Sequence, residues 1–438
     1  MIFSPRATRT AAVAALTGAA ALALSACGST GTSASSGDEN SVVTIDYLHR
    51  LPDGEGMTPV KDIVAKWNSS HPDIQVNATK FDGKSTEMIL KLETDAKAGT
   101  APCLAQVGYG EVPELYTKGL LADVSGDAAA YADHYSSGAL AGMKVGNAIV
   151  GLPQDVGPLV YYYNAAEFQR LGVTPPTTAA ELESVAATAA AAGKAAVAFT
   201  PDEAQNWLTG QAAASGDVWF RAADDKWDVD TTGAGSRKVA AVWQDILDKK
   251  EAFVGGRWSD EFTKALVDGQ LIGHIGAAWE AGFLLDPLDG TPAAGQWRVA
   301  QLPDFGAGAM TGPDGGSGVA VMKGCAHPQQ AMEFNDWLNT QIDDLTSQGL
   351  VVAAKGTPKT SAKVLAQFGG QDVAAELSKA TENLNPDFAY IPGFPALSSM
   401  NEVAAAAGAG TGTVEDVFDD AQTTAVSTLE NLGLPVAK

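Results

Sequence analysis

Cysteine, histidine and positive charge are all scarce in this chain. Of 438 residues, 3 are Cys and 5 are His. The histidines (His49, His71, His134, His274, His327) are scattered and share no ligand spacing, which argues against a metal centre. Asp/Asn-rich calcium loops with EF-hand spacing are also missing. Lys and Arg number 28 against 52 Asp and Glu, a net charge of −24. Such a field argues against nucleic acid and anionic lipid as partners, and it disfavours a strongly anionic ligand. Nucleotide and catalytic signatures are lacking too. Gly83-Lys84-Ser85 has the tail of a P-loop, but Ala78 stands where its first Gly belongs. Gly315-Gly316-Ser317-Gly318-Val319 lacks the final Gly of a nucleophile elbow.

What is present begins with a leader. Arg6 and Arg9 precede an apolar run from Ala11 to Leu24, too short for a comfortable membrane span. Leu24-Ser25-Ala26-Cys27 resembles a bacterial lipobox, which implies removal of residues 1–26 and a lipid on Cys27. Residues 27–40 are a Gly/Ser/Thr-rich flexible tether. Without Arg6 and Arg9, 26 basic residues face 52 acidic ones, a mature net charge of −26. About 400 residues remain, too many for one small core and the right number for two lobes.

The most informative stretch runs from Gly151 to Glu183. Pro153, Gly157 and Pro158 punctuate its start, and Leu159 to Tyr163 has the composition of a buried strand. Asn164 begins a turn, and a short helix fits Ala165 to Leu171. Thr178 followed by Glu181 predicts a capping box. Elsewhere, Val42 to Leu48 reads as an opening strand. A helix with Val60, Ile63, Val64 and Trp67 on one face follows. Lys238 to Lys250 and Val414 to Leu432 are further predicted helices.

The order PQDVGPLVYYYN, a short helix ending in LGV, then PPTTAAEL, resembles the centre of the family 1 extracellular solute-binding proteins. These are the capture components of ABC importers, and the likeness is to the maltose-binding-protein-like, actinobacterial sugar-binding lipoproteins. Three more segments match in order: GTAPCLAQVGYGEVPELYTKGLLADV from Gly99, FTKALVDGQLIGHIGAAWEAGFL from Phe262, and Leu302 to Asn339. The resemblance implies an α/β, two-lobed periplasmic-binding-protein fold (type II-like). Its hinge would be crossed three times, with the ligand cleft between the lobes. Residues 41–153 with 305–357 would form the N-terminal lobe, and 154–304 with 358–438 the C-terminal lobe. It also places Cys103 and Cys325 in the first lobe, where a disulfide would explain Cys103 in a position that often holds Asp. Two separate buried thiols are the alternative.

A sugar-binding cleft needs flat aromatic faces and planar polar groups. Trp279 and Glu280 follow an apolar strand, Leu271 to Ala278, and the family often stacks a sugar on the matching Trp. Tyr109 and Glu111 follow a predicted buried strand, with glycines that let backbone approach a ligand. His49 and Arg50 end the first strand, Asp82 lies in a loop, and Gln154 and Asp155 lie in the hinge. Trp207, the turn Gly315-Gly316 and Tyr390 complete the candidates. The expected function is capture of a neutral oligosaccharide and delivery to ABC permease subunits. The protein would be a monomer, anchored by its lipid on the extracellular face of the cell membrane, and would need no cofactor. A glycoside hydrolase, or a sensory or adhesive surface lipoprotein on the same fold, is the alternative. The hydrolase predicts a close carboxylate pair in the cleft.

Overall fold

The computed structural model describes residues 42–437, apart from 55, 56, 84 and 224. The leader, Cys27 and the tether lie outside the described residues. Seven strands form the main sheet: β1 (Val43–His49), β2 (Ile74–Lys80), β3 (Leu104–Gly108), β4 (Gly151–Asn164), β5 (Gly273–Ala277), β6 (Trp297–Gln301) and β7 (Pro313–Val321). Their order is β5-β4-β7-β3-β1-β2, with β6 also paired to β4. β1 runs parallel to both β2 and β3, and β7 runs antiparallel to β3 and to β4.

β4 is longer than its predicted core of Leu159 to Tyr163, because it changes partners midway. Gly151 to Val156 pairs with β7, whereas Leu159 to Asn164 pairs with β5 and β6. Pro153 and Pro158 offer no N–H, and the ladder to β7 is irregular there, where β4 changes partners. Gly157 permits the crossing. A Cβ there would stand 2.3 Å from the Asp314 carbonyl oxygen. Backbone around Val352 also joins this middle section: Val156 N–H donates to Val351 O (2.9 Å) and Ala353 N–H to Gln154 O (3.0 Å).

Alternation along β4 feeds two apolar clusters. Val160 and Tyr162 join one that holds Ile45, Val107 and Val319. Helix α1 (Val60–Ser70) contributes its predicted stripe of Val60, Ile63, Val64 and Trp67 to this cluster. Leu159 and Tyr161 join the other, with Trp207, Trp243, Val417 and Phe418 from helices α4 (Ala204–Ala214), α5 (Ala234–Asp248) and α7 (Val414–Asn431). The two clusters therefore lie on opposite faces of β4.

Local signals set the element ends. Asn164 accepts from Glu167 N–H and starts α2 (Ala165–Leu171), which Gly172 closes at φ 71°. Thr178 accepts from Glu181 N–H at the start of α3 (Ala179–Ala191), but the Glu181 carboxylate bonds Thr177 N–H (2.7 Å). The return arm of the predicted capping box is therefore shifted by one residue. Cys103 and Cys325 are disulfide-bonded, with Cα atoms 4.6 Å apart and 222 residues between them in sequence. In the loop-entropy model a cross-link of that span is worth about 5 kcal/mol. Among the described residues no helix is long and apolar enough to cross a membrane.

Candidate functional site

A pocket lies against the middle of β4. Tyr109 and Lys144 line it, as do Gly157 and Gly315 from the hinge strands and Phe388 and Tyr390 from a late loop. Tyr390 stands edge-on to Phe388 and to Phe394, each 4.8 Å away. Gly316 adopts φ +106°, and a Cβ there would lie 2.7 Å from the Tyr109 ring, so glycine lets that ring sit against β7.

A chain of polar groups crosses the ends of β1, β3 and β7. Arg50 N–H donates to Gln106 Oε1 (2.8 Å), Gln106 Nε2 donates to Ser317 Oγ (3.1 Å), and Ser317 Oγ donates to the Asp155 carboxylate. Burial pushes the Asp155 carboxyl up to about 6, against the Ser317 hydrogen bond and the charge of Arg50. Two buried donors, Arg50 Nε and Tyr109 Oη, have no partner within the protein. Leaving such a donor unmet costs about 1–3 kcal/mol, and Tyr109, which lines the pocket, can offer its hydroxyl to a ligand oxygen.

The neighbouring region is built differently. Arg257 is 5% exposed and pairs with Glu203 (2.8 Å), Glu280 (2.8 Å) and Asp314 (2.7 Å). His274 Nε2 lies 3.2 Å from Glu280. Burial works against the Arg257 charge, but Asp314, Glu280 and Glu203 outweigh it and raise its pKa. Burial pushes the Glu203 carboxyl up to about 7 despite Arg257. The Arg257 guanidinium lies 5.1 Å from the Trp279 ring centroid, within cation–π range. Trp279 Nε1 donates to Asp314 O (2.8 Å), and Phe283 stacks on Trp279 at 5.7 Å. Trp279 also borders the pocket, because a Cβ on Gly157 or Gly315 would meet its ring. The ring is thus fixed by a hydrogen bond, a cation and an aromatic neighbour.

With this geometry in view, the chain was compared with known proteins. Residues 62–343, more than half of the chain, match the model of the bacterial extracellular solute-binding proteins. The chain is a bacterial extracellular solute-binding protein. It is similar to the galacto-N-biose-/lacto-N-biose I-binding protein of the ABC transporter from Bifidobacterium longum, solved in complex with lacto-N-biose. That likeness has 52% identity and a TM-score of 0.85, and covers 91% of this chain and 100% of that one. A binding protein associated with an ABC transporter of B. animalis subsp. lactis, in complex with beta-1,6-galactobiose, shares the fold at 23% identity. Its TM-score is 0.73, over 91% of this chain and 100% of that one. An uncharacterized lipoprotein from the oleD 5' region of Streptomyces antibioticus is 25% identical over 308 residues, 68% of this chain and 66% of that one.

In this solute-binding protein the predicted residues separate into three groups. Tyr109, Gly315 and Tyr390 line the pocket, Trp279 and Gly316 stand against lining residues, and Arg50 and Asp155 belong to the polar chain. A second group is committed to holding the fold. Glu280 is fully buried and bonded to Arg257, His274 and Ala277 N–H, so it supports Trp279 instead of facing the pocket. Glu111 caps its own turn, accepting from Gly108 N–H (2.8 Å) and Ser85 Oγ. Gln154 is buried and donates to Asn339 Oδ1 (3.0 Å). Trp207 is a core residue, not a cleft one: it is fully buried and donates to Ile275 O (2.8 Å). A third group lies elsewhere. His49 ends β1 as expected, but as a buried residue at 2% exposure, stacked on Tyr47, where burial lowers its pKa to about 4. The Asp82 side chain is 82% exposed and pairs with Lys80 at the surface.

Sequence reasoning missed Arg257, Glu203, Asp314 and Phe388. Arg257 carried one usable signal, since a lone Arg in a Gly-rich loop of an acidic chain suggests a charge with a task. Phe388 lies two residues before Tyr390 in the same Pro/Gly-rich loop.

Proposed function

We propose that this protein captures a neutral oligosaccharide and hands it to the permease of an ABC importer. The observation that carries this reading is the 52% identity, across the full length of the relative, to a protein solved with lacto-N-biose bound. The pocket and its surroundings support it with the parts a sugar needs: Trp279 and Tyr390 as flat faces, the unmet Tyr109 hydroxyl in the lining, and Arg50 and Asp155 in the polar chain nearby. The lobes are those with the sequence-derived bounds, and closure comes from better contacts in the closed state. Lipid on Cys27 holds the protein on the outer face of the membrane, within reach of its permease. Hydrolysis is disfavoured by the chemistry of the buried carboxylates. Glu280 and Asp314 bond one nitrogen of Arg257 at 0% and 1% exposure, closed to substrate and water.

The test is calorimetry on the full chain in detergent, against lacto-N-biose, galacto-N-biose, beta-1,6-galactobiose and maltose. Saturable heat with one class of disaccharide, recovered unchanged, is the expected result. No heat with any sugar would discard the substrate class, and consumed sugar would bring the hydrolase forward.

A further inference from the structure

Asp155 sits where three segments meet: β4 itself, β7 through Ser317, and residues 351–353 through Val352. Its neighbours Val156 and Gly157 line the pocket. The Asp155 carboxylate also ends a one-way line of donors. Arg50 N–H donates to Gln106, Gln106 to Ser317, and Ser317 to Asp155. A line of that polarity needs an acceptor at its end. An ionised carboxylate serves best, since a charge-assisted hydrogen bond is roughly twice as strong as a neutral one. Arg50 answers to the same group a second time: its guanidinium is the charge that favours ionised Asp155, and its buried Nε has no partner.

The loop that carries Arg50 is fixed at its far end as well. Asp53 N–H donates to Gln348 Oε1 (2.9 Å), and Gln348 Nε2 donates to Asp53 Oδ1 (2.9 Å) and Thr58 O (2.6 Å). The near end is therefore governed by Gln106 and the line behind it. Tyr47 of β1 and Tyr109 after β3 also face Asp155, but burial raises both phenols, so neither ionises near neutral pH. Ser317 and the sequence Val351-Val352-Ala353 bring no titratable side chain. Within this cluster Asp155 is the group that changes charge close to neutrality, at about 6.

We propose that Asp155 is a positioning residue: ionised, it holds Arg50 in place for sugar through Ser317 and Gln106, and protonated it lets Arg50 go, so that capture weakens in acid. This inference rests on the oligosaccharide reading above. The sign follows from linkage. Sugar selects the ionised form, so binding expels a proton, and affinity is lost as pH falls through about 6.

Calorimetry with lacto-N-biose on the full chain in detergent tests it, from pH 7.5 to pH 5. About one tenth of the free protein is ionised at Asp155 at pH 5, so the dissociation constant should rise about tenfold over that range. At pH 6, titrations in phosphate and in Bis-Tris should show release of about half a proton per sugar. Asp155→Asn should abolish both the release and the pH dependence. Gln106→Leu, which cuts the line midway, should weaken binding at pH 7.5 and flatten the profile. An affinity that is constant or rises toward pH 5 would overturn this inference alone, as would proton release that persists in Asp155→Asn. The parent profile needs no variant to fold. Absence of heat with every sugar at both ends of the range would remove the oligosaccharide reading and this inference together.

Discussion

Around Arg50, Tyr109 and Asp155, buried polar atoms outnumber their partners within the protein. Around Arg257, three carboxylates converge on one guanidinium, and the same guanidinium covers Trp279. Both regions are buried, polar and close to β7, and both keep unpartnered atoms, since Arg257 Nε and His274 Nδ1 also lack partners; they differ in charge pairing, which only Arg257 finds within the protein. Unmet capacity beside an opening is capacity kept for a ligand. Charge pairing beneath an aromatic ring is a support that fixes the ring. Burial and charge alone do not separate the two; the bonding partners do.

The largest expected effect breaks the support. Arg257→Met leaves Glu280 and Asp314 buried without their cation, so denaturant unfolding should show a loss of about 3–5 kcal/mol. Trp279→Ala removes the supported ring. Its affinity for lacto-N-biose should fall by about 2–4 kcal/mol in calorimetry, the scale of a central aromatic contact. Asp155→Asn sharpens the contrast through pH. The folded carboxyl is held near 6, above its unfolded value, so Asp155 contributes stability at low pH and loses it as pH rises through about 6. The Asn variant should therefore be more stable than the parent above pH 6, by about 2–3 kcal/mol, with the advantage fading toward pH 4. An advantage that grows on acidification would contradict the assignment. Tyr109→Phe deletes a hydroxyl with no partner in the protein. Stability without ligand should rise by about 1 kcal/mol, as an unmet buried donor is removed, while sugar affinity falls by about 1 kcal/mol.

Much of the fold was legible because its signals are local. The stripe of Val60, Ile63, Val64 and Trp67 is buried as its spacing requires, and Asn164 and Thr178 cap the helices they precede. The glycine and proline punctuation before Leu159 marked the place where β4 changes partners. The site was legible only in outline. Tyr109, Trp279 and Tyr390 were reached through strand ends and a Pro/Gly-rich loop. Trp207 shares their residue class but faces Phe199 and Trp243 in the core. Its helix position does not by itself say which way the ring points.

The sequence by itself determined the elements, the change of partners along β4 and the family, because periodicity, caps and motif order are written in neighbouring residues. Only the tertiary structure decided which polar groups are spent and which are free. Glu280 and Asp155 look alike in sequence. One meets Arg257 from 23 residues away, and the other receives a hydrogen bond from Ser317, 162 residues away, while Arg50 and Tyr109 nearby keep donors unmet. Partners at such separations are chosen by the packing of the lobes, since hydrogen bonds form between groups that meet in space, whatever their order along the chain.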